Sequence, residues 1–155
     1  MTDLLITAAE VLETAFPSNE DGPEWMIVPA RIETAQLGFL RPVFGKLYDK
    51  LGEEPYAAFC RTYIKPALAY YVRYLMVDEQ CAAIGAAGVR QNKSAYTEAV
   101  PDSRLHRLRR QARNDADTLL DKAIDYVENN PAMFPEYDPK ENIRRRVLIK
   151  GGFIL

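Results

Sequence analysis

An all-α fold, a bundle of about five helices followed by an extended C-terminal arm, is predicted by three observations. Apolar residues recur at helical spacing through most of the chain, as in Phe59, Tyr63, Ala67, Tyr71 and Leu75, which is the period of a helix face and not of a strand. Start and stop signals agree with it: Thr7-Ala8-Ala9-Glu10 has the form of a capping box, Pro29 suits a first helical turn, and Asn130-Pro131 closes a long run. Beyond Asn130 the pattern changes. Pro131, Pro135 and Pro139 punctuate the chain, and Val147-Leu148-Ile149 and Phe153-Ile154-Leu155, joined by Gly151-Gly152, read as extended.

Taken in order, the capping box opens a short helix to Ala15, and Phe16 to Pro23 reads as a loop because two prolines and a glycine bracket polar residues. A second helix is expected from Glu24 to Leu40, with Val28, Ile32, Ala35 and Phe39 turned inward. Arg41-Pro42 is expected to break it, since proline disfavours an α conformation in the residue before it, and Val43 to Leu51 restarts as a short helix closed by Gly52. Tyr56 to Ile84 is the longest apolar helical stretch, kinked or split at Pro66. Gly85 to Pro101, rich in small and polar residues, is the largest candidate loop. The last long helix runs from Arg104 to Asn129, capped by Asp102 or Ser103, with Leu105, Leu108, Ala112, Leu119, Ala123 and Val127 on its apolar face. The domain division is a helical domain over residues 1–137 and an arm over 138–155.

Composition narrows the chemistry. The 155 residues carry 20 basic and 22 acidic groups, a net charge of −2, which argues against wholesale cationic nucleic-acid binding. One histidine, His106, and two cysteines, Cys60 and Cys81, cannot build a zinc or CxxC constellation within one chain. His106 stands among Arg104, Arg107, Arg109 and Arg110, which disfavour its protonated form, and neither cysteine has a companion histidine nearby. Gly85-Ala86-Ala87-Gly88 has no following lysine and no preceding strand, so it is not a phosphate loop. No catalytic, cofactor-binding or metal residue is expected, and the chain reads as a non-enzyme. Met1 to Phe16 holds no basic residue, the wrong charge for a signal peptide, and the longest apolar run, Cys81 to Val89, is far short of a membrane span. An intracellular, reducing setting with free, buried thiols is the expectation. Tyr48, Tyr56, Tyr63, Tyr70, Tyr71 and Tyr74 are expected to pack in the core with hydroxyls at its rim, in preference to stacking on bases.

What remains is charge distribution. Asp117, Asp121 and Asp125 recur every four residues, a spacing that offers a cation too few ligands for a closed site. Arg109 and Arg113 continue that stripe toward the N-terminus, so its charges oppose the helix dipole. The stripe is therefore expected to meet other charges, in the same molecule or in a neighbouring subunit. The first 30 residues hold six acidic groups and no basic one, whereas Asp138 to Leu155 holds five basic groups, Arg144, Arg145 and Arg146 among them, against two acidic. Ends of opposite sign suit head-to-tail contact between copies, and arginine forks also suit phosphate. A second reading is a small helical nucleic-acid-binding or regulatory protein using Arg104 to Arg113.

Two segments carry a resemblance. Trp25 to Leu51 (WMIVPARIETAQLGFLRPVFGKLYDKL), with Leu40-Arg41-Pro42 followed by Val43-Phe44-Gly45-Lys46-Leu47-Tyr48-Asp49, resembles the opening of tailed-bacteriophage head-to-tail connector proteins, and Asn129 to Tyr137 (NNPAMFPEY) resembles their end, particularly in phages of Bacteroidota. The order of parts is also similar. This resemblance implies a structural neck protein, a connector or adaptor, made in the host cytoplasm and residing in the virion. It implies a homo-oligomeric ring below the portal protein that extends the channel for packaged DNA, without sequence specificity, and docks a downstream neck or tail protein; no membrane is involved. The family's partner-reaching arm maps onto Ile143 to Leu155, with Arg144, Arg145, Arg146, Ile149, Phe153, Ile154 and Leu155 as portal or neighbour contacts, and the Gly85 to Pro101 loop is the other candidate docking element. From charge alone, Arg109, Arg113, Asp117, Asp121 and Asp125 are expected to make inter-subunit contacts.

Overall fold

The computed structural model describes residues 3–16, 27–83, 90–93, 96–99 and 102–145. The fold is mostly helical, with four helices among the described residues: α1 (Ala8–Ala15), α2 (29–44), α3 (57–83) and α4 (Asp102–Asn129). A 3-10 segment, Gly45–Lys50, follows α2, and another, Pro131–Met133, follows α4. α3 is the centre of the bundle and packs against each of the other three helices. α2 and α4 run antiparallel to it, as the pairings Phe39–Tyr71, Phe44–Phe59, Tyr74–Arg109 and Tyr63–Tyr126 require.

Local signals account for the helix ends. The Thr7 hydroxyl accepts from Glu10 N at 3.2 Å while the Glu10 carboxylate accepts from Thr7 N at 2.9 Å, so the predicted capping box forms. Glu10 also takes the Lys65 ammonium at 2.6 Å, which ties α1 to α3 and, with the Thr7 amide, holds its carboxyl below the ordinary range. At the other end of α1, Arg73 donates to the Ala15 carbonyl and lies over the Phe16 ring.

The prolines act differently from the sequence expectation. The helix does not break at Arg41-Pro42; it widens into a π turn over Gln36–Leu40 and continues through Pro42 to Phe44. The same device precedes Pro66, where Cys60–Ile64 is a π turn and Lys65–Ala83 continues. In both places the amide just before the proline, of Arg41 or Lys65, bonds the carbonyl five residues back. The wider turn makes room for a ring that has no N–H and would clash with the carbonyl four residues back in a regular helix. The real break is Gly45, whose φ of 54° is a conformation that side-chain-bearing residues rarely adopt.

The predicted second helix begins at Pro29, with Val28 as its cap outside the helix and 45% exposed, so Val28 leaves the inward stripe while Ile32 and Ala35 stay in it. In α4, Ala112, Ala123 and Val127 are buried as expected, joined by Ala116, Leu120 and Ile124; Leu108 is exposed instead. Within the predicted loop from Gly85 to Pro101, β1 (Arg90–Lys93) pairs antiparallel with β2 (Tyr96–Ala99). Arg-Gln-Asn-Lys and Tyr-Thr-Glu-Ala carry no apolar alternation, which is why the strands left no sequence signal. The loop from Pro17 to Pro23 and the side chain of Cys81 lie outside the described residues.

Gln36 is a polar group at the centre of the core that no sequence pattern marked. It is fully buried, and its amide accepts from Leu5 N at 2.7 Å and donates to the Asp3 carbonyl and the Tyr48 hydroxyl, each at 3.1 Å. Those bonds fasten the segment before α1 onto α2.

Candidate functional site: a charged clasp on the last helix

After α4 the chain turns back. In place of an extended arm, residues 138–145 form turns that lie against α4 and the end of α2; the remainder of the predicted arm is outside the described residues. The Ile143 amide donates to the Pro42 carbonyl at 3.3 Å, and Asn142 is fully buried, its carboxamide donating to Tyr137 Oη at 2.8 Å and accepting from the Arg144 amide at 2.9 Å. A Cβ at Gly45 would stand 2.7 Å from Glu141 Oε2, so a glycine there also gives this strap room.

The strap carries its arginines onto the acidic stripe. Arg144 reaches two carboxylates: Nε and a terminal nitrogen donate to Asp121 Oδ1 at 3.0 and 2.8 Å, and the other terminal nitrogen donates to Asp117 Oδ1 at 3.2 Å. Arg145 donates to Asp125 at 3.0 Å and to both oxygens of Glu128 at 3.2 and 3.1 Å. Asp117 is the most heavily used group. It also takes Arg113 Nε at 3.1 Å and the Tyr71 hydroxyl at 2.5 Å. Burial and the bond to Asp117 push the Tyr71 hydroxyl well above the ordinary phenol range, so it remains a donor.

Thus, of the two settings expected for these charges, the same molecule or a neighbouring subunit, the fold supplies partners within the same molecule. Asp117, Asp121 and Asp125 face Arg113, Arg144 and Arg145, which also supplies the counter-charge that the helix dipole argument demanded. The carboxylates that a cation could have used are occupied by guanidinium groups, and among the described residues no cluster of three or more His, Cys, Asp or Glu is placed to hold a metal ion. Arg109 and Arg113 spend their remaining surface on aromatic faces: Arg109 lies over Tyr74, and Arg113 over Phe39, Tyr71 and Tyr74. By contrast, Arg104, Arg107 and Arg110 are exposed on the first turns of α4 and form no ion pair among the described residues, as does the exposed His106. Arg146, Ile149, Phe153, Ile154 and Leu155 lie outside the described residues.

Sequence reasoning missed the strap's anchors. Asn142 left no motif, Tyr137 closed the NNPAMFPEY segment without any sign of its role as an anchor, and Glu128 stood outside the four-residue aspartate series. A further tie holds the turn after α4: Glu136 accepts from Lys50 at 2.8 Å and from the Tyr56 hydroxyl. Lys50 and Tyr56 hold its carboxyl down to about 2, and in return Glu136 and burial push Tyr56 up to about 12. Because the folded value lies below the ordinary 4.5, this tie stabilises the fold fully above pH 4.5 and is lost as pH falls toward about 2. Glu136→Gln is therefore expected to melt below the parent protein at neutral pH, with the gap closing across that acid window; a gap that stays constant there contradicts the assignment. Cys60 is buried, and burial pushes its thiol up to about 11, so it stays a protonated, poorly nucleophilic thiol.

The distinctive feature of the described residues is thus an ion-paired strap laid across the last helix of a helical bundle. The chain belongs to DUF6712, a family of unknown function whose model matches residues 39–147, from the π turn of α2 through the clasp. No curated protein and no solved structure matches it.

Proposed function

We propose that the protein is a structural, non-enzymatic head-to-tail connector of a tailed phage, forming a ring below the portal, lengthening the DNA channel and docking the next neck or tail component. The observation that carries this reading is the clasp. Arg144 and Arg145 fix the point on α4 from which the chain goes on into Arg146-Val147-Leu148-Ile149 and Phe153-Ile154-Leu155, so an apolar, basic segment that suits insertion into a partner starts from a defined place. Support also comes from the exposed Arg104, Arg107 and Arg110, which offer charge to a neighbouring subunit or to DNA passing without sequence readout. The test is deletion of residues 146–155 followed by mixing with a portal protein from the same genome. The shortened protein is expected to keep its helical spectrum and melting temperature but to form no rings on portals in negative-stain images. Unchanged portal binding overturns the assignment of the segment.

The same three arginines favour a second reading, a helical nucleic-acid-binding protein. It requires DNA retardation that falls steeply with salt and vanishes in an Arg104→Ala, Arg107→Ala, Arg110→Ala variant. Rings without salt-sensitive DNA affinity favour the connector.

A further inference from the structure

Beside the clasp, α3 and α4 meet the Pro131–Met133 turn in an apolar groove. Its walls include Tyr56, Phe59, Tyr63, Tyr126, Met133 and Phe134, and no charged side chain lines it. Met133 stands at its rim 55% exposed, the most exposed large apolar side chain among the described residues. The groove is not isolated. Phe134 and Pro135 also line a second depression, which continues along Val127 and Pro131 to Arg145.

We propose that this groove seats the chain's own C-terminal segment, Val147 to Leu155, with Phe153-Ile154-Leu155 against Met133 and Phe134. Three observations converge on that occupant. The first is where the described chain stops: Arg145, pinned to Asp125 and Glu128, is itself a wall of the adjoining depression, so the next residue starts at the groove's approach. The second is length. Ten residues follow Arg145, and an extended chain covers at most about 3.3–3.6 Å per residue, ample to cross from one depression to the next. The third is chemistry. Two apolar triplets separated by Lys150-Gly151-Gly152 match an uncharged aromatic surface, with the glycines free to turn the chain between them. A short tether holds its own groove at an effective concentration in the millimolar range, so the segment fills it in preference to a neighbour's. In the connector reading the seated segment is the stored form of the arm, drawn out when the portal offers a better site; that clause alone rests on the connector reading.

Benzophenone photochemistry on the full-length protein tests the seat without any partner. Phe153 is replaced by p-benzoylphenylalanine, a ring of similar character that attacks nearby C–H bonds and favours methionine. On irradiation of dilute protein, the expected product is an intramolecular adduct to Met133 or an adjacent groove residue, in the monomer band and identified by peptide mass. Adding Met133→Glu should reduce its yield by about tenfold, because a carboxylate at an apolar contact must be desolvated; Met133 is exposed, so the fold is expected to survive, and an unchanged helical spectrum checks that. Adducts in a dimer band, adducts elsewhere in the chain, or no adduct each overturn the proposal. Such a failure leaves the portal assay untouched, and failure of the portal assay leaves the adduct standing, so the two readings are separately refutable.

Discussion

Phe59→Ala is expected to destabilise the protein by about 3–5 kcal/mol, the range for truncating a packed aromatic side chain. Phe59 is 7% exposed, and its ring lies 4.8 Å from Phe134, 5.6 Å from Tyr63, 5.7 Å from Tyr126 and 6.4 Å from Phe44, centroid to centroid. One side chain therefore joins α2, α3, α4 and the turn after α4. These neighbours are rings held by their own contacts: Tyr63 stacks on Tyr126 at 4.5 Å and Tyr56 on Phe134 at 5.5 Å, so they cannot collapse into the space without unstacking. Urea titration checks the value. The midpoint should fall with the slope unchanged, and a loss of only about 1 kcal/mol, typical of an average substitution, would show that this aromatic cluster does not anchor the bundle.

Arg144→Ala is expected to cost about 1–3 kcal/mol and to free the strap, because one guanidinium holds two carboxylates from a different part of the chain. Its side chain is 26% exposed and that of Asp117 28%, so the Asp117 pair is partly shielded and worth more than a surface bridge. Arg144→Lys should recover only part of the loss, since a point charge cannot span Asp117 and Asp121 as a planar fork does. Two measurements check this. Hydrogen exchange at the Ile143 amide, which donates to Pro42, should accelerate in the alanine variant, and the stability gap to the parent should narrow in high salt. Equal stability at low salt together with slow exchange at Ile143 would mean that the strap is held by Asn142 and Tyr137 rather than by charge.

The clasp changes how the chain's charge is understood. The aspartate series calls for positive charge from the same molecule or a neighbour, and Arg144 and Arg145 of the same chain supply it. Among the described residues, Arg104, Arg107 and Arg110 at the start of α4 stay exposed, and the groove beside Met133 is lined by no charged side chain.

Features that depend on neighbours a few residues apart are legible in the amino-acid order alone. The capping box of Thr7 and Glu10 and the end of α4 at Asn129 rest on groups within one turn of each other, and the helical class on apolar residues recurring at helical spacing, so spacing alone reveals them. The amino-acid order also showed that Asp117, Asp121 and Asp125 needed positive charge. Only the tertiary structure decided where that charge came from: Arg144 lies 23 residues beyond Asp121 and 27 beyond Asp117, and no local pattern states that the chain folds back across them. The π turns before Pro42 and Pro66 were decided in the same way, because a proline can end a helix or be absorbed by a wider turn, and packing on both sides of α2 and α3 favours the continuous helix. Gln36 makes the point in a single residue: its composition and spacing are those of any surface glutamine, and only Leu5, Asp3 and Tyr48, brought together by the fold, make it the polar centre of a core.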